Sequence, residues 1–264
     1  MKKGLTGFGP VEMACLRISI SFICCLPLLF KALKEIPSEK LFTLFLIGVI
    51  SIGLPAFLFA LSLTQGESAI NGIINSLSPL WTVLIGYYGF KVAVSGKKLL
   101  GVAIGFMGAV VLVVGKPDFT LRGDGLYTAL PILATLCYGL GTNLTRKRLQ
   151  GENPLYTTAI SMSMVGVPVL IGLFFTCAPA KIASGQVWMP ILAIAALAVF
   201  GTFIAWILFY RLLQRTDMLF ATSVTYLVPI IAIAWGMFDG ETLSILQVGG
   251  MLLILGGVYF TTRA

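Results

Sequence analysis

Apolar residues run along this chain in blocks of about twenty, each closed by a short polar or basic link. A helix needs about 20 such residues to cross the hydrocarbon core of a bilayer. The pattern predicts nine membrane helices, over 11–30, 41–63, 68–90, 99–115, 125–145, 155–177, 188–213, 218–238 and 243–262. A membrane β-barrel would instead show segments of about ten residues alternating in polarity, and that alternation is absent. The expected fold class is therefore an all-α polytopic membrane protein.

Two of the blocks resemble each other. "INSLSPLWTVLIG" (74–86) returns as "VTYLVPIIAIAWG" (224–236), with Pro79 answered by Pro229. A shift of 150 lays 51–90 over 201–240, and a shift of 148 then pairs Gly101 with Gly249 and Gly108 with Gly256. Further back, Pro10 of "FGPVEMACLRIS" takes the place of Pro154 in "ENPLYTTAISMS". The helix before Pro154 has no counterpart before Pro10. The expected organisation is a first repeat over 1–115 that lacks its opening helix, a link over 116–124, and a second repeat over 125–264. A five-helix repeat holds an odd number of crossings, so the two copies run in opposite senses. Inverted repeats of this kind are common among secondary transporters, with the substrate near the midplane where the repeats meet.

The paired prolines mark the candidate site. Proline removes one helix hydrogen bond and frees the carbonyl four residues earlier, here those of Asn75 and Thr225. An unsatisfied carbonyl in hydrocarbon costs several kcal/mol, so each must find protein, water or a polar cavity. Asn71, Asn75, Ser78 and Thr82 form one helical stripe, and Thr222, Thr225 or Tyr226, and Pro229 do the same in the second copy. Together with Tyr138 and Asn143 they are expected to line a central substrate cavity. Arg17 lies well inside the first predicted helix, where a charge is costly and usually functional; it could meet an anionic substrate group or brace the bundle, with Glu12 near enough to neutralise it. Gly101, Gly108, Gly249 and Gly256 are expected to let the fourth and ninth helices pack closely.

Composition agrees with a lipid solvent: 58% of the 264 residues are hydrophobic and 11% charged, against about 25% charged in an average soluble domain. The net charge of +8 does not imply nucleic acid, because the basic residues fall in clusters between apolar blocks. Lys31, Lys34, Lys40, Lys91, Lys97, Lys98, Arg146, Lys147, Arg148, Arg211 and Arg215 occupy alternate links, whereas the other links hold Lys116, Arg122 and Lys181 beside acidic residues. This bias predicts that the first set and the C-terminus face the cytoplasm, leaving the N-terminus outside. The five cysteines show no disulfide or zinc spacing, and there is no histidine, the commonest general base and metal ligand. No nucleophile–base pair, acid pair or metal cluster is visible, so neither an enzyme nor a cofactor is expected.

"LRISISF", "SLSPLWTVLIG", "LVPIIAIAWG" and "GETLSILQVGGMLLILGGVYF" taken in this order and spacing resemble the EamA-type members of the drug/metabolite transporter superfamily. That resemblance implies ten helices in two inverted five-helix repeats, both termini in the cytoplasm, and movement of small metabolites, often outward. "KVAVSGKKLLG" departs from it by lacking the acidic residue that Glu241 supplies in the second copy. The expectation is a secondary transporter, an exporter from the plasma (inner) membrane, for a small polar or amphipathic metabolite that is neutral, zwitterionic or weakly anionic. The alternative is a transport-inactive or regulatory membrane subunit that has lost the first helix. The expected partners are the bilayer and the metabolite, and the default assembly is a monomer.

Overall fold

The computed structural model describes residues 7–64, 68–115, 125–185, 187–228, 230–231 and 244–263. Among them there is helix and no strand. Every apolar block reads as helix over most of its described residues. Among the described residues, four helical stretches are long and apolar enough to cross a membrane: Pro10–Glu35, Ser38–Ser62, Pro154–Leu173 and Trp188–Arg215. The shorter Ile245–Thr261 is apolar too. The helices are α1 (Pro10–Glu35), α2 (Leu41–Ile47), α3 (Leu54–Ser62), α4 (Ser68–Asn75), α5 (Ser78–Phe90), α6 (Gly96–Val114), α7 (Gly125–Arg148), α8 (Pro154–Leu173), α9 (Ala178–Ala183), α10 (Trp188–Ala198), α11 (Ala205–Arg215), α12 (Met218–Ser223) and α13 (Ile245–Arg263).

Two joints between these helices are π-turns, Gly48–Gly53 between α2 and α3 and Val199–Ile204 between α10 and α11. A π-turn widens the helix by one residue and loosens its hydrogen-bond ladder. Adding the repeat shift of 150 to the first turn gives 198–203, one residue from the second. The chain therefore interrupts the same helix at the same place in both halves.

The fold gathers into two compact units, each drawing on both halves of the sequence. The first comprises 1–64 and 144–215, the second 65–143 and 216–264, and the boundary falls inside α7.

In the first unit α1 packs along α8. The approach is so close that a Cβ on Gly166 would strike Phe22; only glycine fits there. α8 also lies on the first π-turn and α1 on the second. Proline starts both long helices: Pro10 opens α1, where Glu12 Oε2 accepts a bond of 2.7 Å from the Gly9 amide. Pro154 opens α8, where Asn153 caps by accepting from the Leu155 amide at 3.0 Å. Proline suits this position because the N–H it lacks would have no partner in the first turn. One cluster of buried side chains includes Ile36, Leu44, Ile47, Ile160, Met162 and Tyr210. Another, around Phe8, Met13, Leu16 and Ile194, sits beside the start of α1. Cys15 and Cys25 are buried in these clusters as free thiols.

Ion pairs tie both sets of helix ends across the two halves of the sequence. Lys40, in the link before α2, pairs with Glu152, just before α8. Lys181, in α9 ahead of α10, pairs at 2.7 Å with Glu12, in the first turn of α1. Each pair joins the approach to a π-interrupted helix in one half to the start of a proline-opened long helix in the other.

In the second unit α6 and α13 form a seam of small residues. A Cβ on Gly101 would lie 2.6 Å from Thr261 Oγ1, and one on Gly108 would lie 2.7 Å from the Ile254 amide. Their partners on α13 are Gly250 and Gly257: a Cβ there would strike Leu112 and the backbone of Gly105. A Cβ on Gly249 or Gly256 would meet nothing within 4 Å. The small residues expected at this contact are thus one position further along α13. Lipid gives helices no hydrophobic reason to associate, so close backbone packing of this kind holds them.

Candidate substrate site

The stripe around Pro79 lies in the second unit, and its helix breaks just ahead of that proline. α4 ends at Asn75, two turn residues follow, and α5 begins with Pro79 in its first turn. The carbonyl of Asn75 is not left open. Ser78 Oγ donates to it at 2.8 Å, so the residue beside the proline supplies the missing hydrogen bond. Thr82 Oγ1 donates to the Ser78 carbonyl at 2.9 Å and Ser76 Oγ to that of Gly72 at 3.1 Å. Hydroxyls bonded back to their own helix in this way bend it. On the same stripe Asn71 is buried and Asn75 half-buried.

The second copy breaks within two residues of the matching place, 226–227. α12 gives way to a 3-10 turn, Val224–Tyr226, in which Thr225 Oγ1 donates to the Thr222 carbonyl at 2.8 Å. Thr222 is buried, with its hydroxyl 3.1 Å from the carbonyls of Met218 and Leu219. Pro229, the partner of Pro79, lies outside the described residues.

Three further candidates lie within this unit. Asn143 Nδ2, from α7, donates to the carbonyls of Thr82 at 3.0 Å and Gly139 at 2.8 Å. Gly86 admits it, since a Cβ there would stand 2.9 Å from Asn143 Oδ1. Tyr226 is fully buried, its ring stacked where a Gly105 side chain would be and its hydroxyl donating to the Val102 carbonyl at 2.9 Å. Tyr138 is half-buried on α7, one residue before the Gly139 that lets Trp81 approach. Asn143 of α7 thus meets Thr82 of α5, while Asn71, Asn75, Ser78 and Pro79 lie along α4 and the start of α5. Thr222, Thr225 and Tyr226 stand on their own broken segment.

Arg17 belongs to the first unit. Its Nε donates to Thr202 Oγ1 at 2.6 Å and its Nη2 to the Gly201 carbonyl at 3.3 Å, both in the second π-turn. Beside it Ser21 Oγ bonds the carbonyls of Arg17 at 2.8 Å and Ala198 at 3.0 Å. Glu12, expected to neutralise Arg17, places its Oε2 on Lys181 and the Gly9 amide. The π-turns, Thr202 and Ser21 escaped the sequence reading, as did the pairing of Lys181 with Glu12. The available signal was a small or hydroxylated residue at matched positions, Ser51 and Gly201–Thr202, within otherwise apolar helices.

The EamA-like transporter family matches this chain over residues 1–114 and 126–263. The chain belongs to that family. EamA proteins are polytopic membrane transporters built from two repeats, and this chain is therefore a membrane protein of a transporter family. It is 24% identical to an uncharacterized transporter of Archaeoglobus fulgidus, over 100% of this chain and 92% of that one. It is 27% identical to the uncharacterized inner membrane transporter YedA of Escherichia coli K12, over 97% and 81%. A third EamA-like relative, 23% identical over 98% and 87%, is the "probable amino-acid metabolite efflux pump" of Salmonella typhimurium. A solved crystal structure shares the fold, with a TM-score of 0.76 at 17% identity over 99% of this chain and 90% of its own.

Proposed function

We propose that this EamA-family protein is a secondary transporter that exports a small polar or amphipathic metabolite, by alternating access at a central site between two inverted repeats. The observation that carries the reading is the matched pairing of interruptions. One helix of each half has a π-turn, at Gly48–Gly53 and Val199–Ile204, and the next has a break, at 76–77 and at Val224–Tyr226. Non-helical backbone at membrane depth is tolerated where it is enclosed by protein or faces water, and interrupted helices in corresponding positions of two repeats point to the binding site of a transporter. The inner membrane transporter YedA among its relatives supports inner membrane placement, and the distribution of basic links supports a cytoplasmic C-terminus.

The solute is taken to be zwitterionic or weakly anionic and of the amino-acid class. A relative named for amino-acid metabolite efflux supports that class. So does the chemistry of the candidates, which offer amides, a phenol and one guanidinium. The test is reconstitution into proteoliposomes and counterflow of radiolabelled amino acids and their acylated derivatives. Wild-type protein should move at least one member, and Asn75→Leu should lower that flux about tenfold while the protein still inserts and elutes as a single species. Flux unchanged in Asn75→Leu removes the stripe from the site; no flux of any member by the wild type removes the reading itself.

A further inference from the structure

We propose that the joined ends of α7 and α11 bind the headgroup of an anionic phospholipid through Arg148, Arg211 and Arg215. The site needs only that the chain spans a bilayer, not that it carries a solute. Both ends belong to the first unit. Arg146 Nη1, near the end of α7, donates to the Leu213 carbonyl of α11. In return Gln214 Nε2 of α11 donates to the Leu149 carbonyl at 3.5 Å and to that of Glu152. Behind these bonds Leu149, Tyr210 and Leu213 are buried. The two helix ends are thus fixed to each other.

Three guanidiniums stand exposed on this platform, those of Arg148, Arg211 and Arg215. Among the described residues, no hydrogen bond or ion pair engages any of them. The carboxylates nearest in sequence, Glu152 and Asp217, pair with Lys40 and Lys98. Guanidiniums grouped without a carboxylate attract an anion, and the planar fork of each matches two oxygens of a phosphate.

The apolar surface beside them selects a lipid over a free anion. Leu208, Arg211 and Arg215 step by three and four, and so share one face of α11. Leu208 is 56% exposed, and Phe200, in the π-turn ahead of it, 69%. Of the four long stretches, Trp188–Arg215 is the least enclosed, with 17% of its membrane-spanning window buried against 50% in each of the others. An exposed apolar face that ends in two guanidiniums matches acyl chains that end in a phosphate. Arginine at a helix end reaches the headgroups while its stem stays on the apolar surface. Setting topology asks only for positive charge on one side of the membrane, and needs no tie between helix ends.

The experiment titrates delipidated protein in a neutral detergent with short-chain phosphatidylglycerol, with the matching phosphatidylcholine and with inorganic phosphate, following thermal stability. Phosphatidylglycerol should bind at least about tenfold more tightly than phosphatidylcholine, and phosphate at the same concentration should not displace it. Arg211→Gln and Arg215→Gln should each weaken phosphatidylglycerol about fivefold and leave phosphatidylcholine within about twofold. Lys97→Gln, which removes the same charge from an exposed position of the second unit, should change neither. Equal affinity for the two lipids overturns the proposal. A loss in Lys97→Gln as large as in the arginine variants overturns it too, since the attraction then belongs to the net charge. Displacement by phosphate leaves an anion site and no lipid site. If one arginine variant does not fold, the other decides, and unchanged phosphatidylglycerol affinity there is also fatal.

Discussion

The two π-turns occupy matched positions and are held by unlike contacts. Around Gly48–Gly53 the hold is steric: Gly48 lies against the Ser161 carbonyl, and a Cβ on Gly53 would be 2.7 Å from Val165 Cγ1. Around Val199–Ile204 it is polar, through Arg17 on Thr202 and Gly201 and through Ser21 on Ala198. Close packing tolerates almost no added volume, whereas a polar contact tolerates reshaping but not loss of its partner. The widened turn is thus common to both halves, while its support has diverged. One half keeps it by the absence of side chains, the other by their chemistry.

The sharpest way to break this comparison is to add the same side chain to both turns. A Cβ on Gly48 strikes a peptide oxygen of α8, which cannot yield without moving that helix. A Cβ on Gly201 meets Leu197 Cδ1 at 2.9 Å, the far end of a flexible side chain. Gly48→Val should therefore cost about 3 kcal/mol or more and yield little monodisperse protein on thermal challenge in detergent. Gly201→Val should stay within about 1 kcal/mol of wild type. Equal losses would mean that both turns are sterically closed.

A smaller effect is expected along the α6–α13 seam, where the halves differ again. Gly101 and Gly108 on α6 face the contact, but their sequence counterparts Gly249 and Gly256 on α13 do not. Gly257→Ala should lower thermal stability by about 1–3 kcal/mol, because its Cβ would stand 2.7 Å from the Gly101 carbonyl. Gly256→Ala should be neutral or stabilise by up to about 1 kcal/mol, the helix propensity gained over glycine. The reverse order in a thermal melt would place the sequence-aligned glycines at the seam after all.

That pair of glycines shows where the sequence stopped being readable. Gly249 and Gly250 are adjacent, as are Gly256 and Gly257, and both alternatives carry the same spacing of seven. Alignment with Gly101 and Gly108 selects one face, while packing uses the other. Helix existence was legible because lipid demands long apolar blocks, and the break before Pro79 was legible because proline cannot donate. The π-turns were not, because an extra residue in the hydrogen-bond ladder leaves no mark on an apolar pattern. Polar residues were found but not sorted. Asn143 and Tyr226 direct donors to backbone carbonyls at helix crossings, and no residue type distinguishes that duty from facing a solute.

The smallest expected difference concerns the ion pairs that join the helix ends of the two halves. Side-chain exposure is 34% for Lys40 and 39% for Lys181, so solvent and salt screen both pairs, and each contributes about 0–1 kcal/mol. They nevertheless differ in what the carboxylate does besides pairing. Glu12 Oε2 also holds the Gly9 amide at the start of α1, and Lys181 Nζ stands 5.9 Å from the Phe8 ring centroid. Removing Lys181 leaves a carboxylate of 12% side-chain exposure beside an apolar cluster, whereas Glu152 lies at the α7–α8 turn. Lys181→Ala should therefore lower stability by about 1 kcal/mol and Lys40→Ala by less than about 0.5 kcal/mol. Thermal melts at low ionic strength and at 0.5 M salt, about where the Debye length falls below 5 Å, separate the contributions. Salt should erase the smaller loss and leave part of the larger, because the desolvated carboxylate and the Phe8 contact are poorly screened. If both losses vanish together, the two ends are held alike and the asymmetry between the halves stops at the π-turns.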